Sequence, residues 1–120
     1  MSAEIALLTR MYQEFNARNI DVLLDVMHPN VSWPNGWEGG YVVGHDAVRD
    51  YWTRQWAAIN PTVTPDAFDV LPDGKIRVRV HQRIQDRAGN LMSDKRVNHT
   101  YVFDAGKIRG MVIEAADQER

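Results

Sequence analysis

The chain has 120 residues, a length that fits one domain and lets about two-thirds of the unfolded surface be buried. Hydrophobic residues make up 44% and charged residues 25%, and the net charge of −2 argues against the concentrated basic face that nucleic acid requires. The absence of cysteine excludes a disulfide framework, a thiolate zinc site and a thiol nucleophile.

Residues 3–18 place Ile5, Leu8, Tyr12 and Phe15 at helical spacing, with Leu7 and Met11 widening the stripe and Ser2 available as a cap. Asp21 can cap a short second helix containing Leu23, Leu24, Val26 and Met27, which Pro29 is expected to stop. Residues 30–33 read as a short strand and 34–40, with one proline and three glycines, as a loop. A third helix is expected over 44–60, with Val48, Tyr51, Trp52, Trp56 and Ile59 on one face and Pro61 ending it. From there the period becomes alternating. Val63–Leu71 reads as a strand weakened by Pro65, and Pro72–Gly74 as a turn. Ile76, Val78, Val80 and Ile84 then alternate with Arg77, Arg79, His81 and Arg83. Asp86–Asn90 is a hairpin turn, Val97, His99, Tyr101 and Phe103 form the core-facing row of the next strand, Asp104–Gly106 turns again, and Ile108–Ala115 closes the set. The tail from Ala116 is expected to fray. The class is α+β: a one-sided sheet must cover its apolar face, and three amphipathic helices are the available cover.

The segments LLTRMYQEFNARNIDVLLDVMHPNVSW, VVGHDAVRDYWTRQW and VNHTYVFDAGKIRGMVIE, in this order and spacing, resemble the nuclear transport factor 2-like superfamily, in its SnoaL-like and ketosteroid-isomerase-like branch. The resemblance covers nearly the whole chain. It implies a conical α+β barrel, three N-terminal helices on a curved, mostly antiparallel sheet enclosing a pocket, and a homodimer formed through the outer sheet face. It also implies activities such as isomerisation, dehydration or cyclisation, or ligand binding without catalysis, so the fold alone does not decide function. On the isomerase pattern Tyr12 matches the oxyanion-binding tyrosine. The general-base aspartate falls on Asn35 or, with a two-residue shift, on Trp33, and His99 stands where the protonated acid would be. Neither Asn35 nor Trp33 can take a proton as a base, so steroid isomerisation itself is not expected. The Asp–Arg–Asp set of the epoxide hydrolase branch has no counterpart, since alternation turns Arg83 outward.

Two readings stand for His99: an inward acid, base or donor of the pocket, with an ordinary pKa near neutrality, or a core histidine bonded to a carbonyl or to Tyr12. Tyr12 is in the same way either a donor to a ligand oxygen or a satisfied core tyrosine. Trp52 and Trp56, one turn apart, suit packing, whereas Trp33 and Trp37 bracket a glycine-rich loop and suit a clamp over a flat ligand or a dimer contact. Gln82 shares parity with Val80, and a bulge near Gly89 would reverse that assignment. The candidate catalytic residues are His99 and Tyr12. The candidate ligand wall is Phe15, Trp33, Asn35, Trp37, Trp52, Trp56, Gln82, Val97, Tyr101, Met111 and Ile113. No metal and no cofactor are expected, because the four histidines lack ligand spacing and no dinucleotide or phosphate-loop motif occurs. The basic row Arg77, Arg79, His81 and Arg83 reads first as a solvated face and second as a dimer face paired with Asp94, Asp104 or Glu114. The expected partner is a small hydrophobic molecule, with no nucleic acid and no membrane. Residues 1–10 lack a signal-peptide layout and no apolar run nears the ~20 residues that span a bilayer, so a cytoplasmic location is the expectation.

Overall fold

In the computed structural model, which describes residues 3–116, helix α1 (Ala3–Asn16) buries Leu8, Met11, Tyr12 and Phe15 along a single stripe. The predicted cap Ser2 and residues 117–120 of the tail lie outside the described residues. Helix α1 ends at Asn16, at the start of the polar stretch 16–19, where Asn16 turns to a new partner. Its side-chain amide donates to the Val63 carbonyl at 2.8 Å and its oxygen accepts the Val63 N–H at 3.0 Å. Arg18 then turns left-handed, with φ 67°. Its guanidinium donates to the Pro61 carbonyl at 2.7 Å and lies 5.0 Å above the Trp56 ring.

Helix α2 (Ile20–Asp25) is capped at Asn19 without a side-chain bond, and Asp21 falls in its first turn. It ends before Pro29, which stands inside strand β1 (Met27–Pro34). Proline is tolerated there because β1 meets β6 only at Met27↔Ile108 and Ser32↔Gly110, with the ladder interrupted between them. Strand β2 (Tyr41–Val43), absent from the sequence expectation, pairs antiparallel with Ser32–Pro34. Helix α3 (His45–Ala58) is therefore preceded by a hairpin, so only two of the three helices are N-terminal to the sheet.

Strand β3 (Ile59–Val70) begins where the third helix was expected to continue, and holds both Pro61 and Pro65. It is an edge strand in the order β2-β1-β6-β5-β4-β3, and its register shifts between Pro65 and Ala67, so neither proline costs a central hydrogen bond. Strands β4 (Ile76–Asp86), β5 (Leu91–Asp104) and β6 (Lys107–Ala115) form an antiparallel meander. The β4–β5 turn is held by the Asp86 carboxylate, which accepts the Ala88 and Asn90 N–H groups at 2.9 Å each. The bulge in this pair falls between Ile84 and Gln85, beyond the inner row, so Val80 and Gln82 keep their parity. In the β5–β6 turn Ala105 and Gly106 both have positive φ, 54° and 79°, the geometry of a two-residue hairpin loop.

The three helices pack on the inner face of the curved sheet, and the core runs from Leu8, Leu23 and Val48 to Val78, Val80, Tyr101 and Ile108. The outer face of β4 carries the basic row. Arg77 lies 3.5 Å from Asp69, His81 hydrogen-bonds Asp94, and Arg83 lies 3.5 Å from Asp94. Asp104 approaches His28 at 3.5 Å, so two of the three carboxylates expected to serve a second copy have partners within the chain. No helix among the described residues is long and apolar enough to cross a membrane.

Candidate functional site

The helices do not fill the hollow of the sheet. A cavity of about 240 Å³ remains between α1, α3 and the inner rows of β4, β5 and β6. That is just under the roughly 300–1,000 Å³ typical of sites for drug-sized ligands. Each wall has a local cause. Helical spacing brings Met11, Tyr12 and Phe15 to one side of α1. Strand alternation brings Gln82 and Ile84 from β4, Val97, His99 and Tyr101 from β5, and Met111 and Ile113 from β6 to the same face.

At the deep end three polar side chains meet. The Tyr12 hydroxyl is 2.8 Å from His99 Nδ1 and 2.7 Å from the Tyr101 hydroxyl. The Tyr12 and His99 rings stack at 15°, while Tyr101 stands edge-on to Tyr12 at 89°. All three are buried. Burial pushes His99 down to about 3 from 6.5, so its imidazole is neutral at physiological pH. Burial raises both phenols well above the ordinary tyrosine range, Tyr12 further through the neighbouring Tyr101, so both stay protonated.

Three neutral groups with three protons can be ordered in few ways. If Tyr101 donates to Tyr12 and Tyr12 donates to His99 Nδ1, every hydroxyl proton is used and only the Nε2–H is bare. Reversing the chain strands a tyrosine O–H as well as the Nε2 lone pair, and each bare buried group costs about 1–3 kcal/mol. The first ordering is therefore preferred. In either ordering His99 Nε2 is buried without a hydrogen-bond partner among the described residues. His99 lines the aromatic cavity, and its Nε2 lies buried there with no protein acceptor among the described residues.

Trp33 is next to last in β1 and buried in the core. It meets Trp52 edge-on at 5.5 Å and leans on Tyr101, so both indoles are wall as well as packing. Trp37 sits on the 35–40 turn at the mouth, 39% exposed, with Arg54 6.0 Å from its ring centroid. Two predicted wall residues are elsewhere. Asn35 is buried but turned into its own loop, where its oxygen accepts the Trp37 and Glu38 N–H groups at 3.1 and 2.7 Å and its amide donates to Glu38 at 2.9 Å. An asparagine at the head of a glycine-rich turn satisfies the turn, and its side chain is then spent. Trp56 stacks on Trp52 at 5.7 Å and 11° and meets Phe15 at 5.2 Å, behind the wall rather than on it.

Several wall residues were not anticipated. Tyr51 has its hydroxyl pushed up to about 12 by burial, against the backbone amides of Gly36 and Trp37, and it accepts a 3.0 Å bond from Gln55. Lys95 also lines the cavity, and its parity with Val97 and His99 was the sequence signal that would have found it. No aspartate or glutamate lines the cavity, and no group of three or more metal-ligating side chains occurs among the described residues.

The model of the SnoaL-like domain family matches residues 8–111. Among solved structures, TerC co-crystallised with polyporic acid is 22% identical, with a TM-score of 0.82 over 96% of this chain and 92% of that one. An NTF2-like protein of unknown function from Burkholderia pseudomallei is 21% identical, with a TM-score of 0.83 over 97% and 92%. RV0760c from Mycobacterium tuberculosis, in complex with estradiol-17β-hemisuccinate, is 22% identical, with a TM-score of 0.78 over 92% of each chain. These likenesses establish a shared fold. No functionally curated protein matches the chain in sequence.

Proposed function

The chain belongs to the SnoaL-like domain family, and from that premise we propose that it binds a small, flat, largely apolar molecule whose carbonyl or hydroxyl oxygen accepts the His99 Nε2–H. The observation that carries this reading is the buried, unpartnered Nε2 of His99, a residue that lines an aromatic cavity. Leaving a buried donor bare is costly, and a ligand oxygen is the acceptor that would satisfy it. The small ring-containing ligands present in the TerC and RV0760c structures support the size and character of the occupant.

Any reaction would follow from the same geometry. A neutral imidazole N–H polarises a carbonyl and stabilises negative charge developing on its oxygen, and the Tyr101–Tyr12 chain behind it tightens that donor. Proton removal from carbon is a different matter. No carboxylate stands on the wall, and an imidazole whose conjugate acid is held near 3 is a weak base. Isomerisation, cyclisation or dehydration is therefore confined to substrates acidic enough to lose their proton to water, such as β-dicarbonyls. Catalysis on simple ketones is not part of this reading. Trp37, on its turn at the mouth, closes against the face of the bound rings. Pairing of two copies through the outer sheet is supported by Val102 and Val112, about 40% exposed on that face, and sedimentation velocity tests it.

Quenching of the tryptophan fluorescence by aryl ketones, with the matched hydrocarbons as controls, tests the binding. Ketones are expected to bind wild type more tightly than the hydrocarbons, and His99→Ala to abolish that preference while keeping the hydrocarbon affinity. An unchanged ketone preference in His99→Ala would overturn the role given to Nε2.

A further inference from the structure

We propose that the bound molecule carries an ionised acid group at its outer end, and that Lys95, with the Gln82 amide beside it, is the anion-binding site at the mouth. This rests on the reading of the cavity as a ligand site and names the class of ligand. The inner row of β5 runs Lys95, Val97, His99, Tyr101, so a single strand carries a cation at the mouth and the bare imidazole donor at depth. Gln82 lies directly opposite Lys95 in the β4–β5 ladder, and both line the cavity.

The charge on Lys95 is uncompensated. Among the described residues it has no hydrogen bond and no ion pair. The carboxylates of the neighbouring strands are spent elsewhere. Asp94 is taken by His81 and Arg83 on the outer face, Asp66 by Arg96, and Asp86 by its own hairpin turn. Glu114 is opposite Asn98, on the outward parity of β5. Lys95 is exposed at the mouth, where Ile84 and Val97 flank its methylene stem and its ammonium stands in water until an anion arrives. A lysine kept only for solubility would gain from an outward position, where four basic residues already stand. On the inner face it places a positive charge at the end of a wall that otherwise carries neutral side chains only.

The spacing sets the length of the ligand. Four residues of strand at about 3.3–3.4 Å each separate positions 95 and 99 by about 13 Å, and the lysine stem shortens the span to be bridged. A two-ring aromatic with a carbonyl at one end and a carboxylate at the other fits.

The test uses 6-acetyl-2-naphthoic acid and its methyl ester, titrated against the full chain by tryptophan fluorescence and calorimetry. Wild type is expected to bind the acid about two- to fivefold more tightly than the ester, the worth of one solvent-exposed charge pair. Lys95→Met should remove that ratio while leaving ester affinity unchanged, and His99→Ala should weaken both ligands while preserving it. Equal affinity of wild type for acid and ester, or a ratio that survives Lys95→Met, overturns the anion site and leaves the cavity reading intact. Failure of both ligands to bind wild type overturns the cavity reading and the anion site with it.

Discussion

Strands β4 and β5 carry two histidines with opposite fates. His81 faces outward, hydrogen-bonds Asp94 and belongs to a chain of exposed charges that includes Arg83. His99 faces inward, has no ion pair among the described residues, and bonds the Tyr12 hydroxyl. One residue type on one two-stranded ribbon thus becomes a surface ion-pair member or a buried neutral donor, and parity alone decides which. The outer polar groups have water as an alternative partner, so losing one contact costs little. The inner ones have only each other, so the arrangement is specific and its loss is expensive.

The largest break in that contrast comes from Tyr12→Phe. Among the described residues, the hydroxyl it removes is the only partner of His99 Nδ1 and of the Tyr101 hydroxyl, so two buried groups are left bare at once. At about 1–3 kcal/mol for each, the variant is expected to lose about 2–6 kcal/mol in urea unfolding, with its packing otherwise unchanged. Because the three groups form a unit, adding His99→Leu to Tyr12→Phe should cost less than the sum of the single changes. Strict additivity would mean that the network does not act as one.

How much of this was legible beforehand depends on range. The inward rows of β4 and β5 follow from alternation, and Gln82, Val97, His99 and Tyr101 could be assigned to one face without coordinates. The bond from Tyr12 to His99 spans 87 positions, and sequence could offer it only as one alternative among several. Local grammar also misled where tertiary pairing overrode it. Pro29 and Pro61, which looked like helix terminators, are strand residues, tolerated by an interrupted ladder and by a sheet edge. Strand β2 has three residues, too few to show a period. Asn35 was placed on the wall by counting along a family pattern, which cannot see that a turn consumes its side chain. Lys95 was overlooked because a lysine in a polar stretch looks solvated until its parity with His99 is followed outward.

Acid sharpens the contrast further. Below pH 6.5 the unfolded chain takes up a proton on His99, and the folded chain refuses that proton until about pH 3. The unfolded state therefore binds more protons throughout that window. Stability falls as pH drops, by about 1.4 kcal/mol per unit for a single such group. His99→Gln keeps an amide that can bond Tyr12 but removes the titration. Relative to this variant, wild type should lose about 2–3 kcal/mol more between pH 6.5 and 4.5, read from urea midpoints at each pH. Parallel profiles for the two proteins would show that the imidazole is hydrated and charged in the folded state.

The smallest effect belongs to the outer histidine's partner. In Asp94 the hydrogen bond from His81, and then the charges of His81, Arg83 and Arg96, hold the carboxyl below the usual carboxylate range. A depressed carboxyl contributes stability above its unfolded pKa and loses it as pH falls through its folded one. The Asp94 contribution is therefore intact through most of the window in which His99 is already destabilising the fold, and it fades only as pH falls below the ordinary carboxyl value of 3.8. It is also exposed to salt. At 1 M the screening length shrinks to about 3 Å, comparable to the ion-pair distance itself. Asp94→Asn is thus expected to lower the melting temperature far less than Tyr12→Phe, and 1 M sodium chloride should erase the gap between Asp94→Asn and wild type. The Tyr12→Phe deficit should persist at the same salt, because it arises from neutral groups that water and ions do not reach. If both deficits responded to salt alike, inner and outer rows would share one electrostatic environment, and the separation made by parity would fail.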